Sequence, residues 1–221
     1  MKIQSIKVSE LVEDFDLYPR VSIDSGHVGH IVDALSSGAT MPRIIAEEKT
    51  LRIIDGFHRA RAYKRLYGDD HEMDVEVRRY GEKNAMFIDA MALNSSHGRN
   101  MTAYDRSHAI ARAISLKIDP KAIAVALNIT VDRIGEIKVG SFATVARTRV
   151  STPLKLPARH MAGRTISQAQ ADVMPKLGGN HQTFYVNQLS ALIESDLLDT
   201  SNDKLMARLE TLHELLEELF S

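Results

Sequence analysis

The segment that most constrains the fold runs from Leu51 to Ala62, with the sequence LRIIDGFHRARA. A short apolar run typical of a β-strand is followed by Gly56 and then by a basic, alanine-spaced stretch typical of a helix. Glycine permits a tight turn and a close approach of other groups to the backbone. A helix start presents amide groups and a positive dipole end. The segment therefore predicts either a phosphate-binding corner or a turn whose arginines pair with carboxylates.

The composition is that of a globular protein that does not depend on disulfides. At 221 residues the chain can form one large core or two small domains. No run of about 18 apolar residues is present, so we expect no membrane span. The first residues lead into no apolar signal core, so we expect no secretion. Because the chain has no cysteine, thiolate catalysis is excluded and a cytoplasmic location is favoured.

Charge is distributed unevenly along the chain. Residues 97–164 carry 12 Lys or Arg against 4 Asp or Glu, whereas residues 165–221 carry 3 against 9. Residues 1–96 are closer to balance, with 13 against 16. A basic block between acidic flanks is typical of a surface that binds a polyanion such as DNA. An acidic protein partner would fit the same block.

Periodicity divides the chain into a mixed part and a helical part. Strand and helix patterns alternate over about the first 96 residues, whereas the patterns from Thr102 onward are helical. We therefore predict the α+β class. The expected regions are a phosphate- or nucleotide-binding domain with a small mixed sheet (1–98), an all-helical helix-turn-helix region (99–164) and C-terminal helices that could dimerise (165–221).

Residues 119–140 predict two short helices with a tight turn between them. Asp119 and Pro120 are typical of a helix start, Asn128 of a turn, and Thr130 of a second N-cap. This spacing fits a DNA-binding helix-turn-helix, and an ordinary antiparallel helix pair fits it as well. The basic residues 141–164 are either a DNA-contacting loop or a linker. The candidate DNA-binding residues are Thr130, Arg133, Lys138, Arg147 and Arg149.

The C-terminal helix carries leucines at heptad spacing. The repeat extends over just over two heptads. Such a seam packs either within its own domain or against a second copy of the chain, and we expect a homodimer. Its members are Leu205, Leu209, Leu212, Leu216 and Leu219.

The order of these motifs resembles the ParB/sulfiredoxin-like superfamily, specifically a ParB-like protein with a nucleotide-binding domain followed by a helix-turn-helix. The resemblance covers about residues 3 to 140 and rests on Tyr18-Pro19-Arg20, Gly38 to Ile45, Ile54 to Ala62 and Ala92 to His97. It implies a role in DNA partition or transcriptional regulation, with DNA and a nucleoside triphosphate (CTP or ATP, with Mg²⁺) as partners. The phosphate-binding residues that it implies are Arg20, Gly56, His58, Arg59, Arg61 and Asn94, with Asn94 beside the metal.

Two departures from the ParB pattern leave enzymatic activity open. Phe57 and Leu93 stand where ParB motifs have glutamates, and leucine offers Mg²⁺ no oxygen ligand. Whether the protein hydrolyses a nucleotide is therefore undecided by the sequence. Sulfiredoxin has a cysteine at the Phe57 position, so its chemistry is excluded.

The motif Asp-Gly-x-His-Arg also resembles ParB-like free-serine kinases. That resemblance implies a small-molecule kinase or phosphotransferase in which Asp55 and His58 are catalytic. Such enzymes place a further carboxylate upstream, for which Glu10 and Glu13 are candidates. The alternative is that Asp55 simply pairs with Arg59.

Overall fold

The computed structural model describes residues 2–96 and 100–221. The chain divides into two compact units, one that ends at Leu177 and one that runs from Gly178 to Ser221. His97 and Gly98, where the sequence predicts a helix end and a family motif, lie outside the described residues, as does Arg99.

The N-terminal part is built around a four-stranded sheet. Its strand order is β1-β4-β2-β3, in which β2 and β4 are parallel and the other neighbours are antiparallel. The predicted α+β class is confirmed. The elements are β1 (Lys2–Lys7), α1 (Ser25–Ser36), β2 (Ile44–Glu47), β3 (Ile53–Asp55), α2 (Phe57–Tyr67), β4 (Glu72–Arg78) and α3 (Lys83–Ser96).

Three helices follow: α4 (Ala103–Ser115), α5 (Pro120–Leu127) and α6 (Val131–Ser141). The sequence predicted how α5 begins and ends. The Asp119 carboxylate accepts from the Lys121 amide at 2.9 Å at the start of α5, and Asn128 ends that helix in the left-handed conformation, at φ 52°. The predicted helix pair is therefore present, and its action on DNA stays a prediction.

One apolar core joins the sheet to these helices. Its buried side chains come from β3, α3, α4, α5 and α6 and include Ile54, Phe87, Ile110, Ile123 and Ile134. Burying a side chain of this size contributes about 1.5–3 kcal/mol. The predicted boundary at residue 98 therefore does not separate two cores, because α3 packs in the same core as the helices after it.

A second, small sheet corrects the expectation that residues 99–164 are all helical. It consists of β5 (Phe142–Val145), β6 (Ser151–Pro153) and β7 (Thr165–Ile166), in the order β6-β5-β7. Strands of two to four residues are too short to leave a period in the sequence. They are held by a separate cluster of buried side chains, Ala143, Val145, Leu154, Ala158, Ile166 and Met174.

The predicted boundary between residues 164 and 165 falls inside this sheet. Strand β7 pairs in parallel with β5, and the compact unit continues through α7 (Gln168–Val173) to Leu177. The second unit contains α8 (Gln182–Glu194) and α9 (Asp203–Phe220). Among the described residues no helix combines the length and the apolar character that crossing a bilayer requires.

Candidate functional site

The corner between β3 and α2 is formed by a left-handed glycine. Gly56 precedes the first residue of α2 with φ 107° and ψ 23°, a conformation that other residues adopt only with strain. A Cβ atom at this position would lie 2.9 Å from Nη2 of Arg59 and 3.1 Å from Cγ1 of Ile44. Only glycine therefore leaves room for the Arg59 guanidinium at the start of the helix.

Arg59 lies against this corner, and the protein supplies acceptors for only some of the hydrogen-bond donors of its guanidinium. Its Nη2 donates to Oδ2 of Asp55 at 2.7 Å and to the backbone carbonyl of Arg43 at 3.3 Å. Its Nε is buried and has no acceptor. The predicted alternative, that Asp55 pairs with Arg59, is thus what the structure contains.

His58 occupies the next position of α2 and faces helix α1. Its Nε2 accepts from the backbone amide of Asp24 at 3.1 Å, a role that requires the neutral imidazole. The His27 ring lies 5.0 Å from the His58 ring, edge to face. His58 is therefore positioned by α1.

Arg20 and Asn94 form a buried pair beside the corner. Both side chains are 8% exposed. Nε of Arg20 donates to Oδ1 of Asn94 at 3.1 Å, and the Asn94 amide nitrogen donates to the carbonyl of Ala90 at 2.9 Å. Arg20 also donates to the carbonyl of Asn100 at 3.3 Å. The loop that carries Arg20 is thereby attached to α3.

This pairing corrects the expectation that Asn94 lies beside a metal ion. Its amide oxygen, the atom that would ligate Mg²⁺, accepts from a guanidinium instead, and the neighbouring Leu93 offers no oxygen. Within residues 2–96 and 100–221 no three His, Asp or Glu side chains are grouped as metal ligands. The residues at this corner therefore do not fit a Mg²⁺ site of the ParB type.

These groups surround a cavity of about 550 Å³. It brings together the predicted residues Arg20, Asp55, Gly56, His58, Arg59 and Asn94. Sequence reasoning missed four polar residues that also line it, namely Tyr18, His27, Arg43 and Glu76. Three arginines and two histidines thus face two carboxylates, of which Asp55 is bonded to Arg59 and Glu76 to Arg78 at 2.7 Å. The balance of charge favours an anionic ligand.

Arg61 is a correction to the predicted phosphate site. It forms a bidentate salt bridge with Glu13, with Nη2–Oε2 at 2.7 Å and Nε–Oε1 at 3.0 Å, and it lines a different cavity. The Glu13 carboxylate raises the pKa of the Arg61 guanidinium. Residues two apart on a helix point about 200° away from each other, so Arg59 and Arg61 cannot face the same ligand.

The carboxylates that a kinase would require upstream also lie elsewhere. Glu13 is held by Arg61, and Glu10 accepts from the backbone amide of Lys7 at 3.0 Å. Neither residue lines the cavity at Gly56. The geometry consequently does not bring together the catalytic set that the kinase resemblance implies.

The predicted DNA-binding residues have different roles in the fold. The Thr130 hydroxyl caps α6 by accepting from the Arg133 amide at 3.1 Å, and the Arg133 side chain pairs with Glu136 at 2.5 Å. Lys138 is exposed on α6. Arg147 and Arg149 are exposed on the turn between β5 and β6. Within the described residues, the side chains of Lys138, Arg147 and Arg149 are exposed and form no hydrogen bond or ion pair, so these three are not already engaged within the protein.

No family model matches the chain. A protein of Streptomyces griseus described as a "Streptomycin biosynthesis operon possible regulatory protein" is 34% identical over 125 residues, which cover 56% of this chain and 35% of that protein. The chain therefore spans about a third of the length of this curated relative.

Among solved structures, ParB N-domains are similar to this chain. A Pnob8-like ParB N-domain has a TM-score of 0.41 at 15% identity, over 69% of this chain and 57% of that one. Caulobacter crescentus ParB complexed with CTP-gamma-S has a TM-score of 0.39 at 13% identity, over 61% and 75%. The same protein complexed to the centromeric parS site has a TM-score of 0.42 at 12% identity, over 60% of this chain and 68% of that one. All three TM-scores lie below 0.5.

Replacing Gly56 with alanine tests whether this corner depends on the absence of a Cβ atom. We expect Gly56→Ala to lower the free energy of unfolding by about 1–3 kcal/mol, because the added atom combines backbone strain with contact against Arg59 and Ile44. The measurement is urea denaturation followed by tyrosine fluorescence.

The matched control is Gly38→Ala. Gly38 also has a positive φ, 82°, but its added Cβ would meet nothing within 4 Å, so this variant isolates backbone strain. An equal loss of stability in the two variants would contradict the crowding at Gly56.

Proposed function

We propose that the N-terminal domain binds a nucleoside triphosphate of the CTP type, with the phosphates at the Gly56 corner. The observation that carries the proposal is the convergence of Arg20, Arg43 and Arg59 with the N-terminus of α2 on one cavity. Guanidinium groups and helix N-termini both favour phosphate oxygens. A volume of about 550 Å³ lies in the range of cavities that bind small molecules. The family resemblance supports the same ligand.

The unsatisfied Nε of Arg59 is a second argument for an anion at this corner. A buried donor without an acceptor costs about 1–3 kcal/mol, and more when it carries charge. A phosphate oxygen in the cavity would accept from that atom while Nη2 keeps its bond to Asp55. Hydrolysis of the nucleotide is not part of the proposal, because the residues at this corner do not fit a ParB-type Mg²⁺ site.

Calorimetric titration with CTP, ATP and ADP, with and without Mg²⁺, tests this site. We expect Arg59→Ala to weaken nucleotide binding about 10-fold or more, since a charge-assisted hydrogen bond is worth about 1.5–3 kcal/mol. Arg61→Ala is the matched control: it removes the same charge from the same helix on the side away from the cavity, so it should leave affinity unchanged. Absence of binding to every nucleotide, or an equal loss in both variants, would refute the proposal.

The variant Asp55→Asn separates this proposal from the kinase alternative. It should strengthen nucleotide binding, because it removes a negative charge beside the phosphates while its amide oxygen can still accept from Nη2 of Arg59. A kinase that uses Asp55 as its base would instead lose turnover of ATP or ADP with free serine.

We further propose that the protein is a ParB-like DNA-binding protein with a role in transcriptional regulation or DNA partition, acting in the cytoplasm. The support is the basic block of residues 97–164, the helix pair α5 and α6, and the exposed Arg147 and Arg149. The description of the Streptomyces griseus relative as a possible regulatory protein supports the regulatory role. Contacts of this kind fall mainly on the DNA backbone.

Fluorescence anisotropy with labelled duplex DNA at 50 mM and 200 mM salt tests DNA binding. We expect affinity to fall steeply over this range, and the double variant Arg147→Gln/Arg149→Gln to bind more weakly with a salt slope reduced by about 2. Lys204→Gln/Arg208→Gln removes the same charge from α9 and should behave as wild type. Binding that is absent, or alike at both salt concentrations, would rule out DNA as the partner.

We also propose that the second compact unit mediates homodimerisation. No residue of α8 or α9 is buried, and apolar side chains of α9 such as Leu216 and Leu219 are 41% and 73% exposed. Two helices without a buried residue, such as α8 and α9, gain stability when their apolar side chains pack against another surface. The heptad spacing of the α9 leucines favours a second copy of the same helix.

Sedimentation velocity of the full chain tests the dimer. Leu216→Glu should shift the protein toward the monomer by at least 10-fold in dissociation constant, because it places a charge in the apolar seam. Ala207→Glu adds the same charge on the opposite face of α9, where the residue is exposed, and should leave the dimer intact. A wild-type chain that remains monomeric at high concentration would contradict the proposal.

A further inference from the structure

A second basic pocket lies among helices α4 and α6 and the 3-10 helix Leu156–Met161. Its volume is about 270 Å³, and three arginines line it, Arg106, Arg133 and Arg159. It shares no lining residue with the cavity at Gly56. The two pockets are therefore separate sites.

The charges in this pocket are not balanced. Its one carboxylate, that of Glu136, pairs with Arg133 at 2.5 Å. In the part of the chain that the structure describes, neither Arg106 nor Arg159 has an ion pair or a side-chain hydrogen bond, and Nε of Arg159 is buried without an acceptor. Two guanidinium groups therefore face the pocket with their donors unused.

We infer that this pocket binds a phosphate group between Arg106 and Arg159. The buried Nε of Arg159 has no acceptor, which is unfavourable, and a tetrahedral oxyanion can accept from that atom and from the Arg106 guanidinium at once. Ser141 lines the same space, and its hydroxyl can donate a further bond, whereas the Ser107 hydroxyl already donates to the carbonyl of Ala103 at 3.0 Å. At about 270 Å³ the pocket holds one phosphate group with a few waters.

The inference rests in part on the proposed DNA binding, which would supply the phosphate from a DNA backbone. Two features support that source: the pocket borders α6, and all three arginines belong to the basic block of residues 97–164. A free phosphate or a small phosphorylated ligand has the same chemistry. The experiment distinguishes these sources.

Inorganic phosphate is titrated against the full chain at constant ionic strength, with chloride as the balancing ion, and thermal unfolding is recorded. We expect a phosphate-specific rise of roughly 3 °C or more at ten times the dissociation constant. Arg159→Gln and Arg106→Gln should each lose most of the rise that this pocket contributes. Arg164→Gln, which removes an exposed charge from the same block outside the pocket, should retain it.

The variant Arg59→Ala distinguishes phosphate that binds at Gly56 from phosphate that binds in this pocket. It should lose only the part of the rise in unfolding temperature that the Gly56 site contributes. Without phosphate, Arg159→Gln should unfold at or above the wild-type temperature, because it removes a buried N–H donor that has no acceptor. A phosphate response in Arg159→Gln and Arg106→Gln equal to that of the wild type, or no phosphate response in any form of the protein, would overturn the inference.

Labelled duplex DNA then identifies the source. If the DNA backbone supplies the phosphate, the slope of log affinity against log salt falls by about 1 in Arg159→Gln and in Arg106→Gln but not in Lys204→Gln, an exposed charge outside the basic block. An unchanged slope with a lost phosphate response supports the pocket as a site for a free phosphorylated ligand. If the wild type binds no DNA at all, the DNA-binding proposal fails, and the phosphate titration still decides the pocket.

Discussion

A left-handed residue between β3 and α2 determines the direction in which α2 leaves the sheet. Gly56 adopts this conformation, and the space that a Cβ atom would fill is taken by the Arg59 guanidinium, which reaches Asp55 and the carbonyl of Arg43. The start of α2 is thereby aimed into the cavity that Arg20 and His58 also line. The candidate site depends on this one turn, because a different helix direction would point these groups elsewhere.

The arginines of this protein differ in how far the fold satisfies them. Arg61 and Arg133 are paired with carboxylates, Glu13 and Glu136 respectively. Arg59 and Arg159 each keep a buried Nε without an acceptor. An incoming oxyanion gains most where a charged donor is already removed from water and still lacks a partner. This difference supports both proposed phosphate sites, together with the convergence of arginines at each cavity.

Helix α3 links the cavity at Gly56 to the helix pair α5 and α6. Asn94 holds Arg20 at the cavity, while the hydroxyl of the next residue, Ser95, donates to the carbonyl of Ala126 in α5 at 2.6 Å. The same helix contributes Phe87 to the core that all these elements share. The two regions that the sequence treats as separate domains are therefore stabilised by common packing.

Local patterns in the sequence were sufficient for most of the secondary structure. The caps at Asp119 and Thr130, the turn at Asn128 and the pairing of Asp55 with Arg59 involve residues at most four apart, and such interactions can be inferred from spacing. The short strands β5 to β7 were not predicted, because two to four residues are too few to show the alternation of apolar and polar side chains that indicates a strand. The direction of Arg61 follows from helix geometry alone, so that error could have been avoided.

The sequence by itself determined most of the helices and longer strands, the strand–glycine–helix corner and the basic block. Only the tertiary structure decided which groups distant in the sequence meet. Asn94 accepts a hydrogen bond from Arg20, which lies 74 positions away. Arg159 lines the same pocket as Arg106 and residues of α6. The physical reason is that a helix or turn is specified by neighbours along the chain. The partner of a buried charge is specified by whichever distant segment the core brings next to it.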